Sequence, residues 1–210
     1  MSDQCTEQRF LEDIAKHKMS IIRDDGVNRH VRFKREGSST YLFDLITWPG
    51  YLCYCGDMGT YVFRRIEDMF EFFRTDRGDF NFNKNGLSIN PGYWGEKLES
   101  VSRFGEGFKA YSQDKFKSII NERVESYILD EEKSTESADS LKEAVDDVLS
   151  CCEFEHDARQ AANDFEHEGF SFHDFWESDL TEYTYHFIWC CYALAWAVKQ
   201  YDEAKEKVMP

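Results

Sequence analysis

The chain has 210 residues, a formal net charge of −16 and 41% hydrophobic residues, with 18 Phe and 7 Cys among them. That length suits one domain or two small ones and buries a core without staples, and a chain this aromatic is no disordered acidic tail, because it has apolar surface to offset chain entropy. The odd cysteine count with two vicinal pairs and no signal peptide argues against a secreted disulfide framework, so reduced thiols in a cytoplasm are expected.

Residues 7–18 place Phe10, Leu11, Ile14 and Ala15 at helical spacing, which predicts a short amphipathic helix. After it the period changes to two. Residues 19–23, 29–35, 41–48, 51–55 and 60–63 read as strands, separated by Asp25-Gly26, Glu36-Gly37-Ser38-Ser39, Pro49-Gly50 and the 56–59 turn. Connectors this short favour hairpins, because parallel strands need a long crossover. A second helix follows, with Ile66, Met69, Phe70 and Phe73 on one face and Glu67, Asp68, Glu71 and Arg74 on the other. Residues 77–95 read as an ordered loop rich in Gly, Asn and aromatics.

From there the pattern is helical: 113–129, then a polar break at 134–140 where Ser137 or Ser140 is a candidate cap, then 141–152 with a Leu141, Val145, Val148 and Leu149 stripe. An acidic helix over 154–167, a turn at Gly169, a short aromatic helix over 171–176 and a terminal helix over 181–205 complete the chain. The apolar run at 187–198 is too short for a membrane span, which needs about 20 residues, and reads as a buried helix. The expected fold class is α+β: an N-terminal antiparallel meander of four to five strands flanked by helices, then a mainly α-helical acidic C-terminal half. The expected division is a sheet domain over 1–110 and a helical region over 111–210 packed on it.

The negative charge is concentrated. Residues 131–182 hold 17 Asp and Glu against 3 Lys and Arg, whereas residues 1–130 hold 21 against 19. Such asymmetry suits a basic partner and repels nucleic acid and anionic membrane. The exposed carboxylates expected to meet that partner are Glu143, Asp146, Asp147, Glu153, Glu155, Asp157, Asp164, Glu166 and Glu168. Duplex DNA carries one charge per about 1.7 Å of axis, and carboxylates on packed helices imitate part of that field.

Catalytic signatures are lacking. Glu153 with His156 and Glu182 with His186 invite a di-iron reading, but that site needs two Glu-x-x-His units, and a Glu near a His is expected by chance in so acidic a window. Cys53 and Cys55 point to one face of a strand without the second pair that zinc requires. No phosphate loop is present. The expectation is therefore no catalytic residue, metal or cofactor. A separate cluster, Trp48, Tyr51, Asp57, Arg64, Asn90, Tyr93 and Trp94, has the polar and aromatic character of a binding loop for a nucleotide-like small molecule, although a sheet packed on a helix uses such aromatics as core.

Asp25-Gly26-Val27-Asn28-Arg29-His30, the segment FDLITWPGYLCYCGDMGTYVF at 43–63, EDMFEFFR at 67–74 and INPGYWGEKLES at 89–100 resemble an uncharacterised family of bacteriophage and prophage proteins, over about residues 8–125. The resemblance brings no assigned site residues. It implies a small soluble accessory protein of an infected bacterium, of a kind that binds and blocks a host enzyme or defence complex. The leading expectation is a non-enzymatic inhibitor of a host defence or DNA-processing complex that acts by acidic nucleic-acid mimicry. The alternatives are a protein that binds or enzymatically modifies a nucleotide-like small molecule through that cluster, and an oligomeric phage regulatory subunit, in which the terminal helix at 183–201 buries one face in the fold and another against a partner.

Overall fold

In the computed structural model the chain is α+β, and residues 4–75, 86–102 and 107–207 are described. Two compact units divide it. The first holds residues 3–108 and 183–210, and the second holds Lys109–Glu182. The division expected near residue 110 thus needs a second crossing near 182, because the terminal helix belongs with the sheet.

The first unit begins with α1 (Glu7–Ile14), whose N-cap Thr6 accepts a hydrogen bond from the Arg9 amide. A six-stranded antiparallel sheet follows in chain order: β1 (His17–Asp25), β2 (Asn28–Arg35), β3 (Phe43–Trp48), β4 (Tyr51–Gly56), β5 (Gly59–Arg64) and β6 (Leu98–Val101). Four or five strands were expected. β6 was missed because it carries only four residues with no apolar alternation, and its pairing with β5 is decided across intervening chain. Pro49-Gly50 joins β3 to β4 with Gly50 at φ 83°, the glycine-favouring second position of a type II turn.

Alternation decides the two faces. Val31, Phe33, Phe43, Leu45, Leu52, Tyr54, Tyr61 and Phe63 point inward and are essentially unexposed. Arg32, Asp44, Ile46, Cys53, Cys55 and Val62 lie on the outer face. The inward rings meet α7 (Tyr185–Glu206): Phe33 stands 5.2 Å from Trp196, Phe43 5.7 Å from Trp189 and Tyr61 5.6 Å from Phe187. Helices α1, α2 (Met69–Thr75) and α3 (Pro91–Gly95) pack on α7 as well. The helix is consequently buried nearly all round, and none of its large apolar residues is exposed.

Polar staples hold the helices to the sheet and to one another. Arg29 forms a bidentate pair with Asp68 at 2.7 and 2.9 Å, and Arg74 does so with Asp202 at 2.7 Å on both arms. Tyr201 donates to Asp24 at 2.7 Å. Asp68 and Arg74 were expected together on the polar face of the second helix. Both are tied down, and Asp68 also accepts from the Phe70 amide at the start of α2. Ile66 precedes that helix and is exposed. The expected loop at 77–95 lies partly outside the described residues; its described end forms α3, capped by Asn90.

The second unit is mostly helical: α4 (Gln113–Asp130), α5 (Thr135–Ser150) and α6 (Glu155–Asp164). Short strands β7 (Lys109–Tyr111) and β10 (Thr181–Tyr183) pair where the chain enters and leaves it, and β8 (Glu166–His167) pairs with β9 (Phe170–Ser171). Ser134 caps α5 through the Ser137 amide, so the cap stands earlier than Ser137 or Ser140. The expected aromatic helix at 171–176 is β9 followed by a 3-10 turn at Phe175–Glu177. Phe116, Ile120, Leu141, Val145, Phe170 and Phe175 sit in a core of this unit's own. No helix among the described residues is long and apolar enough to cross a membrane.

Candidate functional site

In the second unit, Glu143, Asp146 and Asp147 stand at i, i+3 and i+4 on α5, opposite the buried Leu141, Val145 and Val148 stripe. Asp157 and Asp164, seven apart, share a stripe of α6 opposite buried Ala158 and Ala162. Glu153 precedes that helix, and Glu166 and Glu168 belong to the β8–β9 hairpin, whose turn places Glu168 and Gly169 at φ 47° and 82°, as a type I′ turn requires. Eight of these nine carboxylates are exposed. Glu155 is the exception; it is half-buried and pairs with Arg159 at 2.8 Å.

The unit's cations are largely occupied elsewhere. Arg159 donates to the carbonyls of Trp176 and Ser178. Arg123 donates to the His173 carbonyl and the Ser178 hydroxyl and lies over the Phe175 ring. Lys109 and Lys115 both bind Asp179, and Lys133 lies 4.9 Å from the Tyr127 ring centre. Lys142 lines a groove of about 360 Å³ between α4 and α5, with Val124, Val145 and Leu149 as floor and Glu125 and Asp146 beside it. Two aromatics are also unusually exposed here, Phe154 at 61% and Trp176 at 64%.

The small-molecule set divides. Trp48 and Tyr51, ladder partners across β3 and β4, stack at 5.2 Å and 12°, and the Arg64 guanidinium lies 5.3 Å from the Tyr51 ring centre. The other four residues serve the fold. Asp57 accepts from the Tyr41 amide at the opposite end of β4, and Asn90 caps α3. Tyr93 packs on Phe72 under Lys97, and Trp94 is fully buried against Phe73.

One cluster escaped the sequence reading. On the outer sheet face the row Arg32, Asp44, Cys55, Thr60 crosses β2 to β5, with the row His30, Ile46, Cys53, Val62 beside it. Arg32 clasps Asp44 at 2.8 and 2.7 Å, and His30 Nε2 stands 2.9 Å from the same carboxylate. Burial pushes the Asp44 carboxyl upward, but these hydrogen bonds outweigh it and hold it below the usual value. The available signal was polar residues at alternate positions of adjacent predicted strands, yet register alone decides that they meet. Among the described residues, no three His, Cys, Asp or Glu side chains are grouped to hold a metal ion.

Comparison with family models, curated proteins and solved structures finds no match to the chain.

Proposed function

We propose that this chain is a non-enzymatic binding protein whose helical unit docks in a basic, nucleic-acid-binding groove of a partner protein and occludes it. The observation that carries this reading is the set of eight exposed carboxylates around α5, α6 and the β8–β9 hairpin, while the nearby arginines are spent on backbone carbonyls inside the unit. Lys109–Glu182 holds 21 acidic and 7 basic residues, which is −14 of the chain's −16. A field of that sign steers a basic partner and repels nucleic acid. The exposed Phe154 and Trp176 supply apolar anchors within it. The phage resemblance supports a host defence or DNA-processing complex as the partner, met in the cytoplasm of an infected bacterium.

The test is affinity capture from a bacterium with defence systems, at low salt, with partners identified by mass spectrometry. A stoichiometric nucleic-acid-binding complex that is released at about 0.5 M salt, where screening is strong, and is lost in the triple variant E143K/D146K/D147K supports the reading. A complex indifferent to both refutes it. The Trp48, Tyr51 and Arg64 stack favours a second reading, a nucleotide-like ligand lying on the Trp48 ring. A thermal shift with nucleotides that disappears in W48A distinguishes it.

A further inference from the structure

We propose that the groove between α4 and α5 seats a basic amphipathic helix of the partner protein, whose apolar side chain fills the groove while its Lys or Arg residues reach the acidic rims. Such docking rests on the occlusion reading above and gives the partner's contact a definite element and chemistry.

The short turn between α4 and α5 makes them antiparallel neighbours. Beside their buried seam the groove of about 360 Å³ has Val124, Val145 and Leu149 as its floor, with Glu125 on the α4 wall and Lys142 and Asp146 on the α5 wall. Leu129 follows one turn beyond Glu125 on the same stripe of α4. At 76% exposed it is the barest large apolar residue among the described residues. Apolar surface therefore runs on from the floor toward the end of α4.

Backbone chemistry selects the form of the occupant. Both walls are helices in mid-course, whose N–H and C=O groups are bonded within the helix, so neither offers an edge to a strand. The occupant must satisfy its own backbone, as a helix lying in a groove does. Size selects its anchor. A cavity of about 150 Å³ admits benzene, so this groove takes one large apolar side chain while the rest of the helix rides on the rims. Leu129 lies about 7.5 Å from Val124 along the α4 axis, and a second apolar residue one turn on in the occupant covers it.

Charge selects the flanks. Among the described residues the ion pairs of this unit join Asp179 to Lys109 and Lys115 and Glu155 to Arg159, and none involves Glu125 or Asp146. Lys142 does not reverse the sign of the rim, because Asp139, Glu143, Asp146 and Asp147 share the exposed side of α5 with it. Its aliphatic stem adds to the apolar wall. The occupant is thus apolar along one stripe with cations beside it, a pattern that suits a helix whose Lys and Arg residues otherwise contact phosphates.

The experiment uses the full chain and a fluorescein-labelled Leu/Lys peptide of about 15 residues, long enough to hold a helix, with leucines at i, i+4 spacing. Anisotropy at low salt gives its affinity. A scrambled peptide of the same composition keeps the charge without the stripe, and a Leu/Glu peptide keeps the stripe with the opposite charge. The Leu/Lys peptide should bind at least about tenfold tighter than the scrambled one, and the Leu/Glu peptide should not bind. Leu129→Ser removes apolar surface at constant charge, so it should weaken the Leu/Lys peptide by about tenfold and leave the scrambled peptide unchanged. Glu125→Lys turns an attraction into a repulsion and should cost about fivefold or more, less at about 0.5 M salt. Equal binding of the scrambled or Leu/Glu peptide, L129S that binds like its parent, or no binding of any peptide would overturn the groove. Circular dichroism of each variant shows that the fold is kept. In the capture experiment, a complex that persists in E125K/L129S but is lost in E143K/D146K/D147K removes the groove and leaves the occlusion reading standing. A complex indifferent to salt and to both variants removes both.

Discussion

Gly56 is the ladder partner of Phe43 at the end of β4, and alanine there should destabilise the first unit. On propensity alone the opposite is expected, since glycine in a strand costs about 0.5–1 kcal/mol relative to alanine. A Cβ on Gly56 would stand 2.7 Å from Phe43 Cα and 2.8 Å from Phe43 Cβ, and closer still to the Leu42 carbonyl oxygen. Carbon atoms rest at about 3.5–4.0 Å, so the deficit approaches 1 Å. These neighbours lie on the backbone or at its first carbon, and no rotamer change relieves them. β3 cannot retreat either, because Phe43 is buried against Phe33, Tyr54, Trp189 and Trp196. Overpacking of this kind costs about 1–3 kcal/mol and occasionally more, and the backbone position puts G56A at the upper end, about 3 kcal/mol. With a urea slope of about 2–3 kcal/mol/M the midpoint falls by about 1–1.5 M. Tryptophan fluorescence is the assay, because Trp48, Trp94, Trp189 and Trp196 all report on the first unit. G37A is the control. Gly37 has φ 70° with nothing within 4 Å of a Cβ, so only backbone strain of about 1 kcal/mol applies. A G56A protein as stable as its parent would refute the close packing of β3 on β4.

Asp44→Asn removes the charge that Arg32 and His30 share and should cost about 1–2 kcal/mol in urea unfolding. Because the Asp44 carboxyl is held below its usual 3.8, its stabilisation is present above that value and is lost as pH falls through the folded value. The parent should therefore lose more stability than D44N as pH falls below about 4, and parallel acid titrations of the two would count against the network. Ser134→Ala should raise amide exchange over residues 135–138 and cost about 1 kcal/mol, whereas Ser137→Ala should cost less; the reverse order would move the cap to Ser137. Tyr54 is fully buried, and its hydroxyl has no partner among the described residues, so Tyr54→Phe should be neutral or stabilise by up to about 1 kcal/mol, and a clear loss in thermal unfolding would reveal a partner.

Local physics in the sequence determined most elements of this chain. Period-two runs between Gly-containing turns located β1 to β5 to within a few residues, and helical stripes located α4, α5 and α7, because burial of one face imposes its period on the residues that make it. The count of carboxylates around α5 and α6 was likewise legible, since charge needs no fold to be counted. What only the tertiary structure decided were the partnerships between distant segments. β6 exists because β5 offers it an edge, and a four-residue strand leaves too short a pattern to recognise. α7 joined the first unit because its rings fill the inner sheet face, although it follows the helical region in sequence. Asp57, Asn90 and Trp94 have the composition of a binding loop, yet they brace a turn, cap a helix and fill a core, while Trp48, Tyr51 and Arg64 meet on adjacent strands. Register alone brought Arg32, Asp44 and Cys55 into one row, because a slip of one residue in β3 would have turned Asp44 to the opposite face.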